Sequence, residues 1–301
     1  MSSLPDVRIV ILSARTGWHT DELLRALAAR GLSGCVVPYE KLVACIGQRT
    51  AADTLAAASQ QLLDADAVLA RIIPNGSLEQ IIYRVDALHW LEDHGVPVMN
   101  SPRAIERCVD KFYTSALLRE AGLDTPETVV CEGVDDAMAA ARAMGDVIIK
   151  PLFGSMGHGM VRVSDPETAF RVIRALDVTR SVFYVQRVID HDGADVRAFV
   201  VGDRVVAAIE RRANDGGWRT NISLGGDARA VDLPPDWGDR ALRAARAVGA
   251  DYAGVDLLPA RDGTVYTLEV NGIPGWSGVQ SATSVDVAGA IVDHLLGKLA
   301  S

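Results

Sequence analysis

Two carboxylates and an amide near the C-terminal end of the chain have the types and spacing of a metal site. They are Asp256 in the segment GVDLL and Glu269 with Asn271 in TLEVN. If a two-residue turn at Asp262-Gly263 joins these segments as a hairpin, Asp256 lies opposite Glu269 and Asn271 shares their face. Opposed carboxylates in hydrophobic strands favour a bound cation, and all-oxygen ligands favour magnesium or manganese over zinc. The spacing alone is equally consistent with solvent-facing residues of an antiparallel sheet.

A lysine followed by a glycine-rich loop is the second candidate site. Lys150 ends the apolar run VIIK, and Gly154, Gly157 and Gly159 follow it. Glycines let backbone N–H groups approach a phosphate closely. The order differs from that of a P-loop, in which the lysine follows the glycines. Alone, the segment is more typical of a flexible turn, but beside a magnesium-type site a phosphate loop is favoured.

A third group of residues supplies fixed hydrogen-bond donors. Asp195 and Arg197 lie two positions apart in an apolar segment, so on a strand they share a face. Arg211, Arg219 and Asn221 follow further along the chain. Such a density of donors suits the recognition of phosphate or carboxylate, although a solvated strand end would have the same composition.

Two differently built parts of the chain must position these residues. Strands over 7–14, 34–40 and 66–74 alternate with helices, the first capped by Thr20 and the second over 78–95. This alternation predicts an α/β domain of roughly a hundred residues. The remainder favours a mostly antiparallel α+β arrangement. Its predicted helices cover 103–122, 135–145, 165–176 and 236–249, and its predicted strands cover 128–132, 146–151, 181–189, 195–203, 204–213 and the hairpin.

Composition excludes several classes of protein. The 301 residues carry a formal net charge of -9, and no long basic run offsets the acidic surplus, which argues against nucleic acid as a partner. The four cysteines lack CxxC spacing, so neither a zinc site nor a disulfide framework is indicated. No apolar segment reaches the roughly 18 residues of a membrane span. We therefore expect a cytoplasmic protein without nucleic-acid or membrane partners.

Ordered motifs extend over most of the chain. They are DKFYTSALLREAGLDTPET, IIKPLFGSMGHGMV, YVQRVI, DVRAFVVGDRVVAAIERRA, WRTNISLGG, and GVDLL with LEVNGIPG. Together they resemble the ATP-grasp superfamily, and specifically its RimK-like alpha-L-glutamate ligases. The resemblance implies an ATP-grasp fold with an N-terminal α/β (pre-ATP-grasp) domain, 1–101, and two α+β lobes, 102–186 and 187–301, that enclose ATP.

The resemblance also implies roles for individual residues. Lys111 and Lys150 would neutralise the nucleotide phosphates, backbone groups of Arg187 and Val188 would meet the adenine, and Asp195 fits the ribose position. Arg187 stands where the family often has a glutamate, which changes the local charge. The further ATP-binding residues implied are Gly154, Ser155, Gly157, Gly159, Gln186, Arg211, Thr220 and Asn221; the catalytic set is Lys150, Arg197 and Arg219; the substrate set is Arg219 and Asn221; the metal set is Asp256, Glu269 and Asn271.

The reaction that the resemblance implies is carboxylate–amine ligation with ATP and Mg²⁺ or Mn²⁺, with two ions expected. An acceptor carboxylate is phosphorylated, and the amine of L-glutamate then attacks the acyl phosphate. The segment Pro274-Gly275-Trp276 is similar to the branch that glutamylates pterin- or deazaflavin-type cofactors, so we expect a small acceptor such as a tetrahydromethanopterin-like pterin. The alternatives are a protein C-terminus as acceptor and an ATP-binding regulatory module without turnover. A homo-oligomer, dimer or tetramer, is expected.

Overall fold

A parallel sheet organises the first part of the chain. The computed structural model describes residues 8–47, 52–154, 159–212 and 227–300. The elements of this part are β1 (Arg8–Ser13), α1 (Trp18–Ala28), β2 (Ser33–Pro38), β3 (Leu42–Cys45), β4 (Thr54–Ala57), β5 (Gln60–Gln61), β6 (Ala67–Ala70), α2 (Leu78–Asp93) and β7 (Val98–Met99). The sheet has the order β2-β1-β6-β7 with parallel pairs, as expected for apolar strands that alternate with helices. The predicted α/β domain is confirmed.

Two local predictions in this part are wrong. Gly17 rather than Thr20 is the N-cap of α1. The Thr20 hydroxyl accepts a hydrogen bond from the Gly17 N–H at 2.9 Å and donates one to the Gly17 carbonyl at 2.7 Å, so it closes the first helical turn from inside. The antiparallel sheet β3-β4-β5 was not predicted, because strands of two to four residues offer too few positions for a period-two pattern.

An antiparallel sheet with its own hydrophobic core forms the central lobe. The next elements are α3 (Pro102–Val109), α4 (Lys111–Glu120), β8 (Thr128–Cys131), α5 (Val134–Met144), β9 (Val147–Pro151), β10 (Val161–Val163), α6 (Pro166–Val178) and β11 (Phe183–Arg187). The sheet order is β10-β9-β11-β8. Apolar side chains of β9 and β11, such as Ile149 and Phe183, pack against α5 and α6 in this core.

The single helix predicted over 103–122 is two helices that meet at Asp110. The Asp110 carboxylate accepts the backbone N–H of Tyr113 at 3.0 Å and caps the new helix, whose first residue is Lys111. Capping by aspartate satisfies an N–H group that a helix start leaves without an intrahelical partner. No glycine or proline marks the break, so the sequence pattern ran through it.

A five-stranded antiparallel sheet carries the C-terminal lobe. Its elements are β12 (Ala194–Val201), β13 (Arg204–Arg212), β14 (Asp227–Ala230), α7 (Pro235–Val248), β15 (Tyr252–Pro259), β16 (Val265–Asn271), α8 (Ser277–Thr283) and α9 (Val287–Leu299). The order is β14-β13-β12-β15-β16. Helix α7 packs on one face of this sheet through Ala241 and Ala244. The elements β14, α8 and α9 were not predicted. Within the described residues no helix has the length and apolar character to cross a bilayer.

The β15–β16 hairpin pairs Asp256 with Glu269, as predicted, but by a different path. The Ala260 N–H donates to the Thr264 carbonyl at 2.8 Å, so the turn has one residue more than the sequence count assumed. The register then shifts between Asp256 and Leu257, where β16 holds one extra residue. The longer turn and the bulge offset each other, which restores the expected pair.

The N-terminal domain and the C-terminal lobe share a hydrophobic core. Ile11 and Leu23 of the first domain join Phe199, Trp276 and Ile291 of the last one in a single buried cluster. Helix α9 thereby returns the end of the chain to α1. The two α+β lobes and the N-terminal domain together confirm the ATP-grasp architecture expected from the sequence.

A buried asparagine links the same two parts through backbone groups. The fully buried Asn100 donates from Nδ2 to the carbonyls of Tyr252 and Gly272 at 2.7 and 2.5 Å. Its Oδ1 accepts the N–H groups of Asp251 and Tyr252 at 2.6 and 3.0 Å. These bonds fix the base of the hairpin that carries Asp256 and Glu269.

Candidate active site

One face of the five-stranded sheet carries a network of arginines and aspartates. The strand period places Asp195 and Arg197 of β12 on this face, opposite Arg211 of β13 and Asp256 of β15 respectively. Arg197 binds Asp256 through Nε–Oδ1 at 2.6 Å and Nη2–Oδ2 at 2.7 Å. Arg211 binds Asp195 through Nε and Nη2 at 2.8 and 2.5 Å, and its Nη2 also lies 2.8 Å from Oδ2 of Asp256. The four side chains form one continuous ion-pair network.

Mutual charge compensation keeps this network ionised although it is buried. Burial would raise the pKa of Asp256, but the positive charges of Arg197 and Arg211 and their hydrogen bonds outweigh it and hold that pKa well below its usual range. Burial likewise opposes the charge of Arg211, whereas the carboxylates of Asp256 and Asp195 raise its pKa. The network is therefore a fixed, charged framework near neutral pH.

The three predicted metal ligands lie together at the edge of this network. Glu269 lies opposite Asp256, and its Oε1 accepts a hydrogen bond from Nδ2 of Asn271 at 2.9 Å. Its side chain is 45% exposed, whereas that of Asp256 is 4% exposed and engaged by Arg197 and Arg211. Glu269 therefore carries the carboxylate that is most open to a cation.

The donor chemistry fits magnesium bound together with a nucleotide. In the described ranges no group of three or more histidine, cysteine, aspartate or glutamate side chains is placed to hold a metal. Magnesium needs no such all-protein cage, since it commonly binds one or two carboxylates and takes its other oxygens from phosphates and water. Asp256, Glu269 and the amide of Asn271 match that requirement.

Lys150 lies in the central lobe with its amine partly buried. Its Nζ donates to Oε1 of Gln186 at 2.6 Å and lies 5.8 Å from the centroid of the Tyr184 ring. Burial lowers the pKa of Lys150 to about 8; the charge of Glu269 opposes this decrease and that of Lys111 adds to it. A buried ammonium with only neutral hydrogen-bond partners is stabilised when an anion binds beside it.

Lys111 holds the beginning of the glycine loop. Its Nζ donates to the carbonyls of Leu152 and Gly154 at 3.1 and 2.8 Å. Burial lowers its pKa as well, against the opposing charges of Glu269 and Asp110. Glu269 of the C-terminal lobe thus acts on both lysines, which places the two candidate sites on the same cleft.

Only part of the glycine loop lies in the described residues. Gly154 has φ +150° and Gly159 has φ +75°, in the region that glycine adopts far more readily than other residues. The loop therefore leaves and rejoins the sheet through backbone conformations that favour glycine. Predicted site residues outside the described ranges are Ser155, Gly157, Arg219, Thr220 and Asn221.

The backbone of Arg187 and Val188 is already engaged through its N–H groups. The Arg187 N–H donates to the Glu127 carbonyl and the Val188 N–H to the Asp146 carbonyl, both at 2.9 Å. An adenine ring would thus meet carbonyl groups here rather than free donors. The Arg187 side chain, unusual at this position, pairs with the Glu127 carboxylate at 2.6 Å, so its charge is compensated at the surface.

Sequence reasoning missed the polar side chains that surround Lys150. Tyr184 lies opposite Lys150, and its hydroxyl contacts Ser115 Oγ at 2.8 Å and accepts from Gln186 Nε2 at 3.2 Å. Gln186 Nε2 also donates to the Thr128 hydroxyl at 3.0 Å. The period-two spacing of tyrosine and glutamine in YVQR was a signal that both share one face.

Two domain families match consecutive parts of the chain. The RimK PreATP-grasp domain matches residues 7–105, and the RimK-like ATP-grasp domain matches residues 108–295. The chain belongs to the RimK-like ATP-grasp family. It is therefore an ADP-forming ligase that makes an amide bond, in a family that uses ATP and Mg²⁺. This excludes the alternative of a regulatory module without turnover.

Similar proteins cover nearly the whole chain. The tetrahydromethanopterin:alpha-L-glutamate ligase of Methanosarcina acetivorans is 34% identical over 307 residues, covering 92% of this chain and 95% of its own length. The probable alpha-L-glutamate ligase of Trichodesmium erythraeum is 36% identical over 300 residues, covering 97% and 98%. Among solved structures, the ATP-grasp ligase PsnB complexed with a minimal precursor has a TM-score of 0.77 at 24% identity, covering 97% and 99%, which shows the RimK-like chain to share its fold.

Proposed function

We propose that this ligase phosphorylates a carboxylate of a small pterin-like acceptor with ATP and joins that carboxylate to the amine of L-glutamate. The observation that carries the proposal is the cleft in which Glu269 acts on Lys111 and Lys150 from the opposite lobe. The choice of glutamate and of a pterin is supported by relatives named tetrahydromethanopterin:alpha-L-glutamate ligase that match at 34% and 32% identity.

ATP would bind between the lobes 102–186 and 187–301. Lys150 would meet the phosphates, since an anion supplies the charge that its neutral partners do not. Lys111 would keep the start of the glycine loop in place over them through its bonds to the Leu152 and Gly154 carbonyls. The adenine would contact carbonyl groups near Arg187 and Val188.

Magnesium would be held by Glu269, Asn271 and Asp256, and we propose two ions. When bound, it supplies positive charge to the phosphate oxygens. The chain's own contribution at this point is orientation, because the Asn271 amide fixes Glu269 and the arginine network fixes Asp256.

Amide formation needs no covalent enzyme intermediate. An oxygen of the acceptor carboxylate attacks the γ-phosphorus and ADP leaves, which produces an acyl phosphate. The neutral amine of glutamate then attacks the acyl carbon, phosphate leaves, and the nitrogen loses a proton. Lys150 and Arg197 would disperse charge on the transferring phosphoryl group, and Arg197 is held ready by its bidentate pair with Asp256.

The test is to incubate the enzyme with ATP, Mg²⁺, L-glutamate and a panel of acceptors containing reduced pterins, deazaflavin precursors and acidic peptides. We expect stoichiometric ADP release and the mass gain of one or more glutamyl units on a pterin. Glutamylation of a peptide alone would instead support the protein C-terminus as acceptor. Activity in the cytoplasm, where ATP and glutamate are available, and a dimer or tetramer, measurable by light scattering, also remain proposals.

A further inference from the structure

An arginine without an anionic partner is buried beside the candidate active site. Arg71, which directly follows β6, is only 2% exposed. Its Nη1 and Nη2 donate to the Tyr252 hydroxyl and the Pro274 carbonyl, both at 3.0 Å, and its guanidinium carbon lies 4.6 Å from the centroid of the Trp276 ring. Across the described ranges no carboxylate forms an ion pair with it. Its positive charge is therefore solvated by dipoles and aromatic faces but not neutralised.

Aromatic rings lead from this charge to the surface. Trp276 is fully buried, and its backbone N–H donates to Nε2 of His19 at 3.1 Å. Trp18 is the outermost ring, 5.0 Å from His19 and 6.2 Å from Trp276 between centroids, and it is 42% exposed. Burial, with a smaller effect of the Arg71 charge, lowers the pKa of His19 to about 4, so this imidazole is neutral near pH 7. Trp18 thus presents an open aromatic face above an uncompensated cation.

The same cluster lies next to the catalytic network. Arg197 and Phe199 share a face of β12, and Phe199 lies 6.4 Å from Trp276 between centroids. A methyl group built at Gly254 would lie 3.2 Å from Cβ of Pro274 and 3.5 Å from Cδ of Arg197. Pro274 and Arg197 therefore pack against one glycine, so the Arg71 cluster and the reacting centre are neighbours.

We propose that the exposed ring of Trp18 is the platform on which the acceptor binds, and that the acceptor is a planar heteroaromatic carboxylate. A flat ring stacks on an open indole, and the charge of Arg71 gives this surface a positive potential that suits an anion. Trp276, despite its unusual position in the sequence, is fully buried and supports the platform from below. This inference rests on the proposed function, because it assigns the acceptor site of that same reaction.

The first test measures binding of pterin-6-carboxylate, a flat fluorescent anion, by its fluorescence anisotropy. We expect Trp18→Ala and Trp18→Leu each to weaken its Kd about tenfold, since stacking of a base on an aromatic side chain is worth roughly 1–3 kcal/mol. Trp18→Phe keeps a flat ring and should change the Kd by less than about threefold. Phe170→Ala, which removes an aromatic ring of similar exposure on α6, should leave the Kd unchanged.

The leucine variant separates a binding role from a structural one. Leucine still covers His19 and Trp276 with apolar surface, so the melting temperature and the Kd for ADP should stay at wild-type values while pterin binding weakens. Unchanged pterin binding in both Trp18→Ala and Trp18→Leu would overturn the proposal. So would the absence of saturable binding of pterin-6-carboxylate to the wild-type protein.

The second test isolates the charge by comparing pterin-6-carboxylate with 6-methylpterin. We expect the wild type to prefer the carboxylate by about fivefold or more, consistent with a charge interaction of roughly 1 kcal/mol or more at a protein surface. Arg71→Gln should abolish this preference while the Kd for 6-methylpterin stays the same. A preference that survives Arg71→Gln would contradict the assigned source of the potential.

The outcomes distinguish the site from the reaction. Trp18-dependent pterin binding without glutamyl transfer to any acceptor would remove the proposed function and leave the platform. Glutamylation of a pterin at unchanged acceptor KM in Trp18→Ala would remove the platform and leave the function.

Discussion

Lys150 of the central lobe and Arg197 of the C-terminal lobe face the same cleft but have different partners. Lys150 is hydrogen-bonded to the neutral amide of Gln186, and burial lowers its pKa to about 8. Arg197 forms a bidentate pair with Asp256, which Arg211 completes to a network with Asp195. The first lobe therefore holds a positive charge that an anion would stabilise, whereas the second holds charges that already compensate each other. We infer that the lysines bind the nucleotide and that the arginine network orients the reacting groups.

The largest effect is expected from Arg211→Met, which breaks the compensated side. Asp195 and Asp256 would remain buried, and Asp195 would lose its bidentate arginine. We expect a loss of about 3–5 kcal/mol in the free energy of unfolding, measured by urea denaturation. Arg229→Met removes an exposed pair with Glu210 and should cost less than about 1 kcal/mol. Similar losses in the two variants would show that the buried network has no special weight.

The next largest effect should come from Lys150→Met, which removes the uncompensated charge. We expect ADP formation to fall by about 10²–10³-fold, the size seen when one preorganised donor is removed from a reacting centre. The free energy of unfolding should not decrease at neutral pH, because folding keeps the amine in a site that disfavours its charge. A variant that loses stability but keeps its turnover would reverse the contrast between the two lobes.

Glu269→Gln tests the one carboxylate that acts on both lysines. We expect the Mg²⁺ concentration for half-maximal activity to rise at least about tenfold, with little change in stability because the side chain is half exposed. Glu167→Gln, an exposed surface change on α6, serves as the matched control. Identical Mg²⁺ titrations of Glu269→Gln and the wild type would reject Glu269 as a ligand.

The smallest predicted effect is the pH dependence of nucleotide affinity. The pKa of Lys150 is lowered in the folded protein, so its ammonium is fully present below about pH 8 and is lost as the pH rises through that value. ADP affinity should therefore fall up to about tenfold between about pH 7 and about pH 9, measured calorimetrically, with proton uptake on binding above about pH 8. In the free enzyme, the penalty of burying the ammonium disappears over the range from about 8 to 10.5, the ordinary value of a lysine. Lys150→Arg should give a flat profile over the same range.

Local patterns in the sequence were enough to predict the residues at the cleft, and several of their neighbours. The Asp256–Glu269 pair followed from counting outward from Asp262-Gly263, yet the count was correct only because a longer turn and a bulge offset each other. A bulge depends on packing across strands, which a single hairpin sequence does not contain. The strand period likewise placed Asp195 and Arg197 on one face.

Contacts between distant parts of the chain could not be predicted in the same way. The pairing of Arg211 with Asp195 depends on the register of β12 and β13, and the burial of Arg71 depends on Trp276, some two hundred positions later. Nothing in the local pattern around Arg71 marks it as buried, because an arginine is normally exposed. The break at Asp110 was missed for a related reason, since aspartate is acceptable inside a helix and becomes a cap only when the chain turns there.

The separate core of the central lobe determines how the molecule should come apart. Ile149, Phe183 and their neighbours contact α5 and α6, whereas the N-terminal domain and the C-terminal lobe share one cluster and the Asn100 bridge. We expect two cooperative units: amides of β9 and β11 should exchange with deuterium in a lower-energy opening, and amides of β1, β12 and β15 should exchange together in a higher one. The small lobe could then release spent nucleotide while the rest of the molecule stays folded.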